Sequence, residues 1–207
     1  MFPSVWFTGC GTFEVEPYEH KVYDTPGYVQ AFGDGPINDA DPAYDLFCAL
    51  IQSARRYIFI STPYFIIDDI LLHQLVLKAK SGVNVVILMP KIPDKPAAYY
   101  MGRERYGEIL QAGGKIYEFT PGFNHAKNVI VDDEYAFIGT VNFDYRSLFL
   151  HYECGALVFK DPQIIDMKND FIETIEKSEK VEYEVWKKRP LRQKIVAFIL
   201  NIFSTMF

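Results

Sequence analysis

The sequence predicts an α/β fold: a mixed, mostly parallel sheet flanked by helices, with an amphipathic helix added at the C-terminus. Three observations lead there. Between about residues 40 and 120, apolar runs of strand length alternate with helix-periodic segments across short joints, a pattern that builds parallel strands with helices on the sheet faces. Beyond Pro121-Gly122, two apolar runs are joined so tightly by Asp132-Asp-Glu that a hairpin is the natural reading. The 207 residues are 49% hydrophobic and 23% charged, enough to bury a core, which excludes disorder, collagen-like repeats and a polytopic membrane protein.

The elements follow in order. Residues 1–40, rich in Gly, Pro, Asp and Tyr without periodicity, read as an irregular lead-in or linker. Asp41 as N-cap and Pro42 at the first helical position start a helix over 42–55, with Leu46, Leu50 and Ala54 on its apolar face. Tyr57-Ile-Phe-Ile-Ser has strand propensity and runs out at Pro63, which cannot continue a central ladder. A helix over 69–80 stops at Ser81-Gly82, and the continuous apolar run 83–89 is a fully buried strand. A helix over 97–112 ends at Gly113-Gly114, before a strand over 115–119. Strands over 126–132 and 135–138 form the hairpin, and a strand over 152–159 precedes a helix over 161–179. Residues 41–184 thus form one α/β unit, and 185–207 a separate basic tail.

The net charge of −6 argues against a duplex-DNA binder, and no nucleic-acid partner is expected. The average conceals an asymmetry: the five charged residues from Val185 onward are all basic (Lys187, Lys188, Arg189, Arg192, Lys194), so the tail carries +5 and everything before it −11. Cys10, Cys48 and Cys154 are odd in number and widely scattered, which points to reduced thiols and neither a disulfide framework nor a zinc site. The first residues lack the basic and apolar regions of a signal peptide, and no apolar run reaches the roughly 20 residues that span a bilayer.

Chemistry concentrates in Asn124-His-Ala-Lys-Asn-Val-Ile-Val-Asp132, which contains the spacing H-x-K-x-x-x-x-D, and in Gly139-Thr-Val-Asn-Phe-Asp-Tyr-Arg-Ser147. In a regular strand His125 and Lys127 project from one face. An imidazole beside a fixed ammonium suits attack on a phosphodiester: the ring forms a covalent intermediate or protonates the leaving oxygen, and the cation neutralises the non-bridging oxygens. Asp132 completes the candidate catalytic set. It lies an odd number of residues from His125, hence on the opposite face, and is expected to act more in the scaffold than on the phosphate. Asn142 is placed to donate its amide to the same oxygens, and Glu153 is the candidate to hold the His125 imidazole in its useful tautomer. The pattern offers no metal site and asks for no cofactor. A lone H-x-K is ordinarily a solvated strand edge; the two stretches together are far more specific.

These two stretches resemble the signature of the phospholipase D superfamily, H-x-K-x-x-x-x-D followed by G-[ST]-x-N-x-D-x-R-S, matched here by His125, Lys127, Asp132, Gly139, Thr140, Asn142, Asp144, Arg146 and Ser147. Ser61-Thr-Pro-Tyr-Phe65, Ala112-Gly-Gly-Lys-Ile-Tyr-Glu118 and Gly122-Phe-Asn-His-Ala-Lys127 make it most similar to the C-terminal half of bacterial cardiolipin synthases, over about 28–207. The resemblance implies a phospholipase D-like half that works without metal. Two phosphatidylglycerol molecules become cardiolipin and glycerol through a phosphohistidine, with Asn142, Glu153 and Ser147 orienting the substrate.

Family sites are built from two such motifs, whereas His20, His73 and His151 all lie outside any H-x-K. The chain is therefore expected to need a second motif-bearing half, supplied by another part of a longer enzyme or by a second copy, and to be inactive or nearly so alone. Two alternatives stay open. One is a homodimeric phosphodiesterase, nuclease or phospholipase of the same superfamily; the other is a non-catalytic half-site interaction module.

From Pro190 the tail forms a helix whose polar arc holds Gln193, Lys194, Ala197, Asn201, Ser204 and Thr205. Leu191, Ile195, Val196, Phe198, Ile199, Leu200, Ile202, Phe203, Met206 and Phe207 fill the rest. With Trp186 and the basic residues before it, this is expected to be an in-plane helix drawn to anionic lipid, which places the chain peripherally at the cell membrane. A terminal helix packed on the domain itself or on a partner subunit is the alternative. Tyr64 and Phe65 are candidates to line an acyl-chain entrance.

Overall fold

Buried β-branched and aromatic residues set the centre of the sheet in the computed structural model, which describes residues 26–37 and 39–201. The elements are β1 (Tyr28–Asp34), α1 (Pro42–Ser53), β2 (Tyr57–Ser61), β3 (Phe65–Ile66), α2 (Asp69–Lys80), β4 (Asn84–Pro90), α3 (Pro96–Gln111) and β5 (Lys115–Phe119). They continue with β6 (Asn128–Val131), β7 (Tyr135–Gly139), β8 (Phe143–Asp144), a π-helical turn (Arg146–Leu150), β9 (Glu153–Phe159), α4 (Gln163–Glu176), β10 (Ser178–Lys180), α5 (Tyr183–Lys187) and α6 (Leu191–Asn201). Cys10, His20 and residues 202–207, with whatever is expected of them, lie outside the described residues.

Eight strands form one sheet in the order β1-β9-β7-β6-β2-β4-β5-β10, and β3 with β8 forms a small second one. The sheet is mixed, as expected, but within it parallel pairing is confined to β2 with β4 and β4 with β5. The reason lies in the connections. Only α2 and α3 carry the chain across a sheet face between neighbouring strands, whereas β6 and β7 are a hairpin and β9, β1 and β10 pair antiparallel with their neighbours. At the hairpin Asp132 and Asp133 both have positive φ, 54° and 62°, the left-handed pair that a tight turn matching strand twist demands and that Asp tolerates.

The helices make this a three-layer unit. Phe47, Leu50 and Ile51 of α1, Leu71, Leu75 and Val76 of α2 and Tyr106 and Ile109 of α3 bury one sheet face with Ile58, Ile60, Val129 and Phe137. Ile164 and Phe171 of α4 cover the other, against Phe59, Val86, Leu88 and Ile130, with Phe59 and Phe171 stacked at 5.0 Å. Each fully buried Ile, Leu or Phe contributes about 1.5–3 kcal/mol.

Several expectations are corrected. The lead-in is not irregular throughout: Tyr28–Asp34 is an edge strand whose partner, β9, lies far along the chain, a non-local pairing that local pattern does not reveal. Asp41 precedes α1 but makes no side-chain cap; Asp34 at the end of β1 accepts from the Ala43 amide at 3.0 Å instead. Phe65 is fully buried, so it lines no entrance, while Tyr64 stays half-buried with its hydroxyl on Asp94.

The tail divides at Pro190 into α5 and α6, and both lie against α3. The Trp186 indole donates to the Arg103 carbonyl at 2.7 Å and lies where a Cβ on Gly107 would stand, 2.3 Å from the ring. Arg189 stacks over that indole at 4.0 Å and pairs with Glu104. Two of the tail's expected lipid-facing residues are therefore engaged within the fold. Among the described residues no helix is long and apolar enough to cross a membrane.

Candidate active site

The site forms where β2, β4 and β5 end, the edge at which open α/β sheets place their ligands. Strand β6 begins only at Asn128, so His125 and Lys127 lie in the loop that enters it and not in the strand itself. They nevertheless meet: the Lys127 ammonium donates to the His125 carbonyl at 2.7 Å. The loop is held by Asn124, whose side chain accepts from the Ala126 amide at 3.0 Å and donates to Ser61 of β2 at 3.3 Å. The Phe123 ring stacks on the imidazole at 5.4 Å. Beside His125 lies a cleft of about 300 Å³ walled by Ser61, Leu88, Phe119, Phe123, Asn128 and Phe171.

Electrostatics tune the pair. Partial burial lowers the His125 pKa below its ordinary value, the charges of Lys127 and Lys95 lower it further, and Asp94 opposes them. The ring is neutral at pH 7, the form that attacks phosphorus or accepts a proton. Lys127 is also lowered by burial, against the attraction of Glu153, Asp144 and Asp94. Asp94 and Lys95 lie in the loop between β4 and α3, and spacing along the chain gave no sign of them; position at the end of a parallel strand is the signal that finds such residues.

The second motif stretch is a brace. Gly139 allows β7 to approach β9 closely, since a Cβ there would sit 2.5 Å from the Cys154 carbonyl oxygen and 2.7 Å from the Gly155 Cα. That approach lets the Thr140 hydroxyl accept from the Cys154 amide at 3.0 Å and donate to Glu153. Glu153 also faces His151 at 3.7 Å, while Arg146 donates to the other ring nitrogen of His151 at 3.1 Å. No hydrogen bond joins Glu153 to His125, contrary to expectation; the carboxylate instead acts on Lys127 through space.

Asn142 does not aim its amide at an open site. It donates to Ser147 at 3.0 Å, and the Ser147 amide donates to buried Asp144 at 2.8 Å. The side-chain amide oxygen of Asn142, Oδ1, is buried without a partner. Asp132 is distant from these groups: buried at the far end of β6, it accepts from the amides of Arg55, Arg56 and Tyr57 at 2.7, 2.9 and 2.8 Å. It fastens the start of β2 to the hairpin and touches nothing in the cleft, which corrects its place in the candidate catalytic set: both carboxylate oxygens are taken up by backbone amides far from His125. Among the described residues no group of three or more His, Cys, Asp or Glu side chains is placed to hold a metal ion.

Residues 47–175 match the family model described as cardiolipin synthase, PLD-like domain. A cardiolipin synthase of a Geobacillus species is 39% identical over 210 residues, covering 100% of this chain and 42% of that protein. Among solved structures, Nuc of Salmonella typhimurium, a phospholipase D family member, superposes with a TM-score of 0.65 at 18% identity, covering 75% of this chain and 99% of that one. The phosphatidylserine synthase of Haemophilus influenzae superposes at 0.66 and 20%, covering 86% and 48%. The chain spans less than half the length of curated relatives that it matches along its whole length.

Proposed function

The chain belongs to the cardiolipin synthase PLD-like domain family, and we propose that it is one catalytic half, the C-terminal one, of a phosphatidyltransferase that makes cardiolipin and glycerol from two phosphatidylglycerol molecules. The observation that carries this reading is the His125–Lys127 pair: a neutral imidazole and an ammonium together at the open edge of the sheet, in a sequence with no second H-x-K spacing. One histidine of a two-motif site attacks the phosphorus, forming the P–N bond as the P–O bond to glycerol breaks. The other gives its proton to the departing glycerol oxygen, then takes a proton from the hydroxyl of the second phosphatidylglycerol as that oxygen displaces the histidine. Lys127 and its counterpart hold the non-bridging oxygens.

The surroundings of the pair support a second half. Phe123, which stacks on His125, and Leu150 and Tyr152, which flank His151, are exposed large apolar side chains beside the site, as a surface covered in an assembly presents. The same fold unit accounts for nearly all of the Nuc chain and for about half of the phosphatidylserine synthase chain. Glu153, braced by Thr140, positions Lys127, and Asn142 with Ser147 orients the strand end that faces the phosphate.

The test is product analysis. With the N-terminal half of a related cardiolipin synthase present, the chain is expected to convert phosphatidylglycerol in detergent micelles to cardiolipin and glycerol in equal amounts, and His125→Ala to abolish both. Phosphatidic acid as the sole lipid product would make it a hydrolase. Absence of any product would contradict the reading and favour an interaction module.

A further inference from the structure

We propose that the outward face of α6 docks flat on an anionic lipid bilayer and holds the His125 edge of the domain at the membrane surface. The sequence leaves α6 divided between an in-plane membrane helix and a helix packed on its own domain or on a partner subunit. The structure splits the helix circumference between the two. At 100° per residue Gln193, Lys194, Ala197 and Leu200 share one side, and that is the side on the protein: Ala197 is buried, and Leu200 packs on Ile66, Ala98 and Met101. The opposite side holds Leu191, Arg192, Ile195, Val196, Phe198 and Ile199. Its five apolar residues are exposed by 71, 51, 44, 70 and 51% in that order, Arg192 aside. Helices of globular proteins turn such residues inward; a face of this kind turned outward marks a surface that something covers.

Three features select a bilayer as the occupant. Exposed Lys187, Lys188 and Arg192 lie on or just before the helix, in a tail from Val185 onward that carries +5 and no acidic residue, so the charge beside the apolar face complements anionic headgroups. The helix needs no unfolding to dock, because Trp186 on Gly107 and Arg189 on Glu104 already fix its approach along α3. One side of the helix is already occupied by the domain, through Ala197 and Leu200, so it can lie in the surface with its other side on lipid.

Its place in the fold gives the docking a purpose. Leu200 reaches the cluster of Ile66, Ala98 and Met101, against which Tyr64 also packs. The Tyr64 hydroxyl donates to Asp94 at 2.5 Å, and Lys95 stands over its ring at 5.4 Å; these are two of the charges felt by His125. The Leu200 end of α6 therefore lies toward the edge where the H-x-K pair stands. That a lipid phosphate is delivered there rests on the function proposed above, whereas the docking itself does not.

The experiment is vesicle co-sedimentation of the full chain, with equal parts phosphatidylglycerol and phosphatidylcholine in one set of vesicles and phosphatidylcholine alone in the other. The chain is expected to bind the first set and not the second, and to be released at about 1 M salt, where the Debye length is about 3 Å. Ile195→Asp with Phe198→Asp, surface changes whose fold is checked by circular dichroism, is expected to lower partitioning at least about tenfold, as is Lys187→Gln with Lys188→Gln and Arg192→Gln. Equal binding by parent and variants overturns the proposal. So does a parent that forms dimers in sedimentation velocity without lipid and an Asp variant that is monomeric, which would make the face a protein interface. Activity in detergent micelles, where no bilayer exists, is read separately, so failure of the docking and failure of the catalytic reading are distinguishable.

Discussion

The ammonium of Lys127 donates to the main-chain carbonyl of His125 at 2.7 Å, so the two motif residues are tied to one another before any substrate arrives. The cation is held close enough to disfavour a second positive charge on the imidazole.

The pH behaviour of His125 follows from that contact. Because folding lowers its pKa, the ring stays neutral to a lower pH than a free histidine, and activity that needs the neutral form should persist correspondingly far on the acid side. NMR titration of the His125 ring is expected to give a midpoint below 6.5. Removing the neighbouring cation in Lys127→Ala should raise the midpoint, and removing the opposing carboxylate in Asp94→Asn should lower it. Shifts of the opposite sign would contradict the assignment of charges around the ring.

Asp132 serves stability. Its carboxylate satisfies three backbone amides at the start of β2. Asp132→Ala leaves those donors unpaired, and a loss on the order of 3 kcal/mol is expected in denaturant unfolding. Asp132→Asn, which keeps one acceptor oxygen and tolerates the positive φ, should lose less.

Gly139→Ala is expected to destabilise by about 1–3 kcal/mol and to reduce activity together with stability. The new Cβ meets backbone of β9, which cannot swing aside as a side chain would. Thr140→Val, which removes the hydroxyl from Glu153 without crowding the strands, should reduce activity while unfolding near the parent temperature. Thermal melts with parallel assays separate the two.

Gly107→Ala tests the anchoring of the tail. On an exposed helix this change stabilises by up to about 1 kcal/mol. Here the methyl would stand 2.3 Å from the Trp186 ring, so the melting temperature should fall and the Trp186 emission should shift to the red as the indole leaves α3. A stabilised protein with unchanged emission would contradict the packing.

The sequence made β2, α2, β4, α3 and β5 legible because each is a local pattern bounded by a nearby Pro or Gly: β2, α2 and β5 fall where the pattern puts them, whereas no pattern marks the two-residue β3. What it concealed is non-local. Tyr28–Asp34 becomes a strand only because β9 offers an edge to pair with, and Asp34 caps α1 only because that strand brings it there. The same holds within the site. The H-x-K spacing placed His125 and Lys127 together, but Glu153 turns to Thr140 because Gly139 lets two strands approach, a backbone contact that no spacing encodes. For α6 the apolar residues are plain in the sequence, and which side of the helix they occupy relative to α3 is not.

The central claim is that His125 and Lys127 supply half of a two-motif site. The direct measurement is cardiolipin formation from phosphatidylglycerol in detergent micelles as the N-terminal half of a related synthase is titrated into a fixed amount of this chain. Activity near zero without the second half, rising to saturation at one equivalent and falling by about 10³-fold or more with His125→Ala, is the predicted result. Full activity of the chain alone, unchanged by the added half, would contradict it.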